Sequence, residues 1–432
     1  MIFRQFVDED LGCASYLVGD GESAVLVDPS FQIDQYLAEG VRIERVLETH
    51  THADHVSGHG RLALEHGIPV AIHSLAEAEY EHEALADGDE IQVGDVTIRV
   101  LHTPGHRPEH CAFVVDDKLV LTGDSLFVGD AARPDLAVAA IEGAENLFES
   151  LKKIAALGDG VEVYPGHVAG SLCGGNMSSE RSSTIGRERE TNEALDFRDM
   201  QDFVMVAASV STPRPPTTER VVGLNRGPWV ALPEEPDELA DAAGATVLDV
   251  RPFTEYVAGH VPGAISVPVT GNSFGTRSAF VLLADEPFVL HARTRDEALE
   301  ATRKLWAVGL LDVDGYVLHA ETPEQLATVD ARELKRLLDE REVQVVDVRE
   351  ASERDDGYIP GSRNIPYRLL RKLAGDGLER DKPVVTICES GPRAAIAASV
   401  LAREGFDARP VVGGGVPDFT GEIVGFRRCG GV

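Results

Sequence analysis

The chain has 432 residues, of which 43% are hydrophobic, enough for about two to four domains with cores of ordinary size. Its formal net charge of −33 argues against binding to nucleic acid or to an anionic membrane surface, because both carry negative phosphates. The five cysteines are an odd and sparse set, which argues against a disulfide framework. No apolar stretch approaches the roughly 18 residues of a membrane span, and no secretory signal opens the sequence. We therefore expect a cytoplasmic protein.

Short apolar runs in the first half are predicted to be strands. The runs are residues 23–27, 45–47, 96–101, 119–121 and 161–163. The last four of the five runs lead, within five residues, to a histidine or aspartate that could bind a metal. Ligands bind beyond the strand ends of parallel or mixed sheets, so the side chains that follow these runs could converge on one place.

The possible metal donors after these runs are histidines and aspartates. They are His50, His52, Asp54, His55, His106, Asp124 and His167. These donor types suit iron, zinc or manganese rather than copper(I) or a cluster. A lone histidine is more often an ordinary surface or core residue, but a dense cluster with three further donors at strand ends favours a metal site.

The order and spacing of these donors resemble those of the metallo-β-lactamase superfamily. The resemblance rests on a His-x-His-x-Asp-His signature at residues 50–55, followed by the donors at 106, 124 and 167. It covers the whole first part of the chain and implies a four-layer αββα sandwich with the metal at one edge. The same donor set serves two-zinc hydrolases, such as glyoxalase II, and one-iron persulfide dioxygenases, so the superfamily alone does not fix the reaction.

Local sequence is more similar to the persulfide dioxygenases, especially to bacterial members fused to rhodanese domains. The similar segments are residues 123–127, 133–135, 169–179 and 184–189. One departure is Ala132, which stands where that family has a glycine before the arginine.

This resemblance implies one iron(II) ion per chain, held by His50, His106 and Asp124, with open positions for substrate sulfur and O₂. The other four donors would orient these ligands and hold water, or would complete a two-zinc site in the alternative. These four are His52, Asp54, His55 and His167. Because all of them are present, the sequence leaves the number of metal ions open.

The remaining histidine and cysteines of interest receive simpler predictions. His110 enters an apolar run and is predicted to be structural, and Cys13 and Cys111 are predicted to be core thiols. Cys173 lies six residues after the last histidine donor, on a glycine-rich segment, where it could relay sulfur or pack the loop. Cys429 is expected to be exposed and incidental.

The second half contains an internal repeat. Residues 247–251 and 259–263 recur at 345–349 and 357–361, each 98 residues further along the chain. Strands alternate with helical segments in both copies, which predicts two tandem domains with parallel sheets covered by helices. A proline-rich linker at 213–216 precedes them. The predicted domains are residues 1–226, 227–322 and 323–432.

In the last domain, a buried strand at 383–387 runs into Cys388, and a loop and a helix follow. Backbone N–H groups of such a loop, the positive end of the helix and Arg393 would stabilise a thiolate or persulfide. Together with residues 347–349 and 357–361, this segment resembles rhodanese. Four residues separate Cys388 from Arg393, one fewer than in cysteine phosphatases, which favours sulfur transfer over dephosphorylation. These two residues are the expected catalytic pair.

The middle domain lacks this pair. At an offset of 96 residues, Ala292 aligns with Cys388 and Glu297 aligns with Arg393. An alanine cannot carry sulfur and a glutamate repels a persulfide, so we predict an inactive rhodanese-like domain that acts as a spacer or docking surface.

The expected fold class is α/β multidomain, with an αββα metallo-β-lactamase sandwich followed by two rhodanese-like α/β domains with parallel sheets. The resemblances imply an iron- and O₂-dependent enzyme that oxidises a low-molecular-weight thiol persulfide to sulfite and thiol. Cys388 would move sulfane sulfur among persulfide, sulfite and thiosulfate, and tethering would raise the effective concentration of the intermediate. The family commonly pairs its metal domains, which implies a homo-oligomer.

Two other functions remain open at this point. The first alternative is a two-metal thioester hydrolase of the glyoxalase II type, with the rhodanese domain as an accessory. The second is a non-enzymatic sulfur-sensing scaffold, which the intact metal and thiolate motifs disfavour.

Overall fold

The computed structural model describes residues 1–168, 177–209, 213–229, 231–242, 244–373 and 376–425. The chain divides into two compact units. Unit 1 comprises Met1–Pro233 with Trp306–Gly309, and unit 2 comprises Glu234–Leu305 with Leu310–Val432. The domain boundaries expected at residues 226 and 322 stay predictions. Within the described ranges, no helix combines the length and the hydrophobicity that a bilayer span requires.

Unit 1 contains two six-stranded sheets. The strands of the first sheet are β1 (Ile2–Val7), β2 (Ala14–Asp20), β3 (Ser23–Val27), β4 (Arg42–Leu47), β5 (Val70–His73) and β6 (Glu83–Leu85). They lie side by side in sequence order. The pairs β1–β2 and β2–β3 are antiparallel, whereas β3 to β6 are parallel, so the carboxyl ends of β3 and β4 lie at one edge.

The second half of unit 1 supplies eight more strands. They are β7 (Glu90–Val93), β8 (Val96–His102), β9 (Cys111–Val115), β10 (Leu119–Gly123), β11 (Leu126–Phe127), β12 (Asp130–Ala131), β13 (Glu162–Pro165) and β14 (Ser183–Thr184). Strands β11 and β12 form a small ribbon, and the other six form a sheet in the order β14-β13-β10-β9-β8-β7. Only the β10–β13 pair of this sheet is parallel.

The helices of unit 1 are short except for one. They are α1 (Asp34–Leu37), α2 (His59–His66), α3 (Ala140–Ala155), α4 (Ile185–Thr191), α5 (Glu193–Asp196), α6 (Met200–Ala207) and α7 (Thr218–Arg226). The long helix α3 buries Leu147, Leu151 and Ile154, which recur at helical spacing and form a continuous apolar face.

Alternation along the strands builds the four layers of unit 1. Tyr16 and Val18 of β2 share a buried cluster with Ile98 and Val100 of β8, so these residues fill the space between the two sheets. The intervening Leu17 points the other way, into a cluster with residues of α1 and α2. Alternate residues of the second sheet pack in the same manner against α3. The expected αββα sandwich is confirmed, and burying each large apolar side chain contributes about 1.5–3 kcal/mol.

Unit 2 contains two four-stranded parallel sheets with the same topology. The elements of the first copy are β15 (Thr246–Asp249), α8 (Phe253–Ala258), β16 (Ile265–Ser266), α9 (Phe274–Val281), β17 (Phe288–His291), α10 (Arg295–Trp306) and β18 (Val313–Val317). Those of the second copy are α11 (Ala331–Asp339), β19 (Gln344–Asp347), β20 (Arg363–Asn364), α12 (Leu370–Leu373), β21 (Val384–Ile387), α13 (Pro392–Arg403) and β22 (Ala408–Pro410). The strand orders β16-β15-β17-β18 and β20-β19-β21-β22 are equivalent, which confirms the tandem α/β repeat with parallel sheets.

Candidate metal centre and cysteine site

Three of the predicted metal donors converge in unit 1. His50 follows β4, His106 lies on the loop between β8 and β9, and Asp124 follows β10. One possible ligand atom of each side chain lies within 4.8 Å of those of the other two. Nε2 of His106 is 3.5 Å and Nε2 of His50 is 4.0 Å from Oδ2 of Asp124. All three side chains are buried.

The donor atoms of this triad fit a metal ion. Nε2 of His50 and Oδ2 of Asp124 are buried and have no hydrogen-bond partner among the described residues. A buried polar atom without a partner is costly, and the large majority of such atoms in folded proteins are satisfied. A cation bound between the two imidazoles and the carboxylate would satisfy both, and this two-histidine, one-carboxylate set is typical of non-haem iron sites with open positions.

A hydrogen-bonded chain fixes the ring of His50. The hydroxyl of Thr49 donates to Oδ2 of Asp28 at 2.8 Å, so it accepts from Nδ1–H of His50 at 2.9 Å. The backbone N–H of Thr49 donates to the other oxygen of Asp28 at 2.7 Å. Nε2 of His50 is therefore left to face the centre. Our sequence reasoning missed Asp28, although it directly follows β3 and thus obeys the same strand-end rule as the donors.

His106 is oriented by the backbone. Its Nδ1–H donates to the carbonyl oxygen of Arg133 at 3.0 Å, which leaves Nε2 for the centre. Arg133 is held in turn by Asp135, whose two carboxylate oxygens accept from the guanidinium at 2.6 and 2.8 Å. The segment 133–135, one of those that resemble the persulfide dioxygenases, thus orients the candidate ligand His106 through a main-chain carbonyl.

His110 holds the backbone of Asp124 rather than facing the centre. The N–H of Asp124 donates to Nε2 of His110 at 2.9 Å, and Nδ1–H of His110 donates to the carbonyl of Thr103 at 3.0 Å. Burial, and then the neighbouring His106, lower the pKa of His110 to about 3, so the ring is neutral. Gly123 has φ +49°, and a Cβ there would lie 2.7 Å from His110 Nε2, so a side chain at this position would displace the ring.

The other predicted donors make a separate set of contacts. Nε2 of His52 lies 3.2 Å from Glu48 Oε2 and 3.4 Å from Asp28 Oδ1. Burial by itself lowers the pKa of His52, but these two carboxylates raise it well above its usual range. His52 is thus engaged by two buried carboxylates, one of which, Asp28, also accepts from Thr49 in the chain that holds His50.

His167 links two carboxylates. Its Nδ1 lies 2.7 Å from Oδ1 of Asp124, and its Nε2 lies 2.8 Å from Oδ2 of Asp54. The other oxygen of Asp54 lies 3.2 Å from Nδ1 of His55. His52, Asp54 and His55 could together hold an ion, since one atom of each also lies within 4.8 Å of the others. In this arrangement, however, both nitrogens of His167 are already in hydrogen bonds.

Asn225 fixes the loop that carries the His-x-His-x-Asp-His signature. Its side-chain NH₂ donates to the carbonyls of His52 at 2.9 Å and His55 at 2.8 Å, and its Oδ1 accepts from the N–H of Ser57 at 2.8 Å. Asn225 lies in α7, beyond the proline-rich segment that the sequence suggested as a linker. No local signal in the sequence points to this role.

Of the cysteines in unit 1, the structure describes Cys13 and Cys111. Cys13 and Cys111 are buried, which confirms the prediction that they are core residues, and burial raises the pKa of both thiols. Cys173 lies outside the described residues, as does Cys429 of the C-terminal segment. The proposed relay role of Cys173 stays a prediction.

Cys388 lies where β21 ends, on the loop that leads into α13. The backbone N–H of Gly391 donates to its sulfur at 3.1 Å, as expected of a loop that stabilises a thiolate. The glycine-rich segment before residue 416 packs closely on this loop, and a Cβ at Gly415 would lie 2.4 Å from the carbonyl oxygen of Cys388. The sulfur therefore sits in a tight and buried cradle.

Arg393 makes a contact that we did not anticipate. Its guanidinium donates to both carboxylate oxygens of Glu353, at 2.6 and 2.7 Å. The charge expected to act on the sulfur is therefore balanced by a carboxylate 40 residues earlier in the chain.

In the middle copy of the repeat, the side chain of Glu297 occupies the loop that corresponds to the Cys388 loop. Ala292 follows β17 at the position of Cys388. The carboxylate of Glu297 accepts from the backbone N–H of Arg293 at 2.6 Å and from its guanidinium at 2.7 and 3.0 Å. The backbone N–H of Arg293, which could otherwise have faced an anionic sulfur, thus donates to Glu297. This agrees with the predicted inactivity of the domain.

Comparisons with known proteins match both parts of the chain. A profile of the metallo-beta-lactamase superfamily matches residues 8–167, and a profile of the rhodanese-like domain matches residues 232–318 and 330–422. The chain is 32% identical over 235 residues to a protein of Bos taurus named persulfide dioxygenase ETHE1, mitochondrial, covering 52% of this chain and 87% of that protein.

Two further relatives broaden the comparison. A hydroxyacylglutathione hydrolase of Francisella philomiragia is 29% identical over 170 residues, covering 38% of this chain and 66% of that protein. A crystal structure of a metallo-beta-lactamase from Staphylococcus aureus is 28% identical, with a TM-score of 0.68, and covers 74% of this chain and 99% of that one.

Proposed function

Since the chain belongs to the persulfide dioxygenase family of the metallo-β-lactamase superfamily and carries two rhodanese-like domains, we propose that it couples two sulfur reactions. The first is the iron- and O₂-dependent oxidation of a low-molecular-weight thiol persulfide to sulfite and thiol. The second is the transfer of sulfane sulfur through Cys388, with persulfide or thiosulfate as the partner.

The observation that carries the first reaction is the buried triad of His50, His106 and Asp124. Each side chain has one atom aimed at a common point and its other polar atom in a hydrogen bond. His50 Nε2, His106 Nε2 and Asp124 Oδ2 would hold the metal. Iron(II) in such a site supplies open coordination positions and redox chemistry that lets O₂ react with a sulfur donor.

The protein's own residues would keep these ligands in place during turnover. Thr49 and Asp28 hold His50, the carbonyl of Arg133 holds His106, and His167 holds the unused oxygen of Asp124. Because these ligands are almost completely buried, bulk water has little access to them. In the proposed reaction one persulfide, one O₂ and one water give one thiol, one sulfite and two protons.

The second reaction would take place in unit 2. The Cys388 thiolate attacks the outer sulfur of a persulfide RSSH, the S–S bond of RSSH breaks, and the electron pair leaves with RS⁻. A new S–S bond leaves Cys388 as a persulfide, whose outer sulfur can pass to the next acceptor. The N–H of Gly391 supports the charge on the sulfur in this loop.

The alternative is a two-metal thioester hydrolase. It is favoured by the second group of donors, His52, Asp54 and His55, and by the likeness to a hydroxyacylglutathione hydrolase. The contacts of His52 with Asp28 and Glu48 weigh against it, because binding a metal would require His52 to exchange these buried partners.

Metal counting combined with two assays separates the two functions. The full chain would be loaded anaerobically with iron or with zinc, and the bound metal counted. Our proposal expects about one iron per chain, O₂ uptake with a thiol persulfide, and no thioester cleavage. Two zinc ions per chain, thioester cleavage and no O₂ uptake would establish the hydrolase instead.

A further inference from the structure

An open cavity of about 370 Å³ lies beside the Cys388 loop in unit 2. Glu389, the residue after Cys388, is part of its wall, and so is Val416, whose N–H donates to the carbonyl of Cys388 at 2.9 Å. The cavity therefore adjoins the sulfur-carrying loop and is large enough for a small thiol.

The wall of this cavity is rich in carboxylates. Glu353, Asp356 and Glu389 line it, whereas Arg349 is its only lining cation among the described residues. The side chain of Glu389 is 50% exposed and that of Glu353 is 32% exposed, so both carboxylates are partly in contact with solvent where they line the cavity.

The nearby guanidinium groups are already committed to carboxylates. Arg349 donates to both oxygens of Asp347, at 3.0 and 2.9 Å, and also lies 3.3 Å from Glu389. Arg393 is held by Glu353 through two hydrogen bonds. Each of these arginines is matched by a carboxylate, and Arg354, 3.2 Å from Asp347, belongs to the same network. The four carboxylates of Asp347, Glu353, Asp356 and Glu389 exceed the three guanidinium groups of Arg349, Arg354 and Arg393 by one negative charge, and Asp356 lies outside these ion pairs.

The excess negative charge of the cavity wall disfavours the binding of a dianion and favours the binding of a cation. Thiosulfate carries two negative charges and offers no group that an acidic wall would attract. A protonated amine would form charge-assisted hydrogen bonds with Glu389 or Asp356. The apolar part of the wall, with Val416 and Ile423, suits a short carbon chain between the amine and the sulfur.

We propose that the sulfur donor for Cys388 is a low-molecular-weight persulfide that carries a protonated amine, and that thiosulfate is the poorer donor. This inference rests on the proposed sulfur transfer through Cys388 and names the substrate class of that site. The ammonium group binds the acidic wall, the Cys388 thiolate attacks the outer sulfur, and the amine-bearing thiolate leaves as the S–S bond breaks.

The test is the anaerobic loading of Cys388 by matched donors. The probes are the persulfides of cysteamine and of 3-mercaptopropionate, which are similar in length but opposite in charge, together with thiosulfate. Intact-protein mass spectrometry follows the gain of one sulfur atom, with Cys388→Ser as the blank. We expect the cationic persulfide to load the full chain about tenfold faster than the anionic one, and the difference to shrink at high salt.

Single-charge variants identify the source of the preference. Glu389→Gln and Asp356→Asn should each reduce the ratio of the loading rates of the cationic and the anionic persulfide by about twofold to threefold. Asp314→Asn is the matched control, since it removes one exposed carboxylate of unit 2 that does not line the cavity, and it should leave the ratio unchanged.

The outcomes separate this inference from the proposed function. Equal or faster loading by thiosulfate or by the anionic persulfide overturns the inference but leaves sulfur transfer intact. If no donor loads Cys388, the proposed transfer itself fails. A preference for the cation that neither Glu389→Gln nor Asp356→Asn changes would show that the acidic wall is not its cause.

Discussion

Nδ1 of His167 lies 2.7 Å from Oδ1 of Asp124, while Oδ2 of the same carboxylate faces Nε2 of His106 at 3.5 Å. The two oxygens of Asp124 therefore have different tasks. Oδ1 is held by His167, which follows β13, the parallel neighbour of β10. Oδ2 has no hydrogen-bond partner among the described residues. This division fixes the direction of the free oxygen and makes Asp124 suited to bind an ion through one atom.

The hydroxyl of Thr49 should be important for metal affinity. Thr49→Val removes the link between His50 and Asp28 with little change in shape, so the imidazole loses its orienting partner. We expect the affinity for iron(II) to fall about 10- to 100-fold, measured by competition with a chelator. Thr270→Val, at an exposed position, is the control. Unchanged affinity in Thr49→Val would show that the ring needs no such support.

His52 should matter more for stability than for metal count. His52→Gln leaves the buried Glu48 and Asp28 without their imidazole, so we expect the free energy of unfolding to fall by about 3–5 kcal/mol. The variant should still bind one iron per chain, whereas His50→Gln should lose the ion. Chemical denaturation and metal counting test both statements. Equal loss of iron in the two variants would contradict the assignment of the ligands.

The two reactions should be separable by substitution. Cys388→Ser removes the proposed nucleophile of unit 2, so sulfur transfer from a donor to an acceptor thiol should fall to the uncatalysed rate. O₂ uptake with a thiol persulfide should remain within about twofold of the original, because the triad lies in unit 1. A large fall in the initial rate of O₂ uptake would instead mean that Cys388 takes part in the oxidation.

The middle copy should not become active when only its cysteine is restored. In Ala292→Cys on a Cys388→Ser background, Glu297 still occupies the loop through Arg293. We expect no sulfur loading by mass spectrometry, and measurable loading only when Glu297→Arg is added. Loading of the single Ala292→Cys variant would show that the carboxylate does not block the loop.

The convergence of the candidate donors could be predicted because a sheet brings its strand ends together. His50, Asp124 and His167 each follow a strand closely, so local patterns were enough to place them at one edge. The same reasoning predicted the cysteine at the end of β21. These features depend on short stretches of sequence and on a general property of sheets.

The partners of those residues could not be predicted in the same way. Asn225 is 173 residues from His52, and Glu353 is 40 residues from Arg393, with no motif joining either pair. The hydrogen bond of His106 uses the carbonyl of Arg133, which any residue could supply. Side-chain orientation depends on such long-range or backbone contacts. The three-dimensional structure is therefore needed to tell which donor atoms are already in hydrogen bonds and which could bind a metal ion.

The most direct test of the account is the stoichiometry of the reaction at the triad. The iron-loaded full chain would be given a thiol persulfide in air-saturated buffer, and O₂ consumption and sulfite formation measured together. We expect one O₂ to be consumed for each sulfite formed, and no reaction in the His106→Ala variant. Sulfite formation without O₂ uptake, or full activity of that variant, would contradict it.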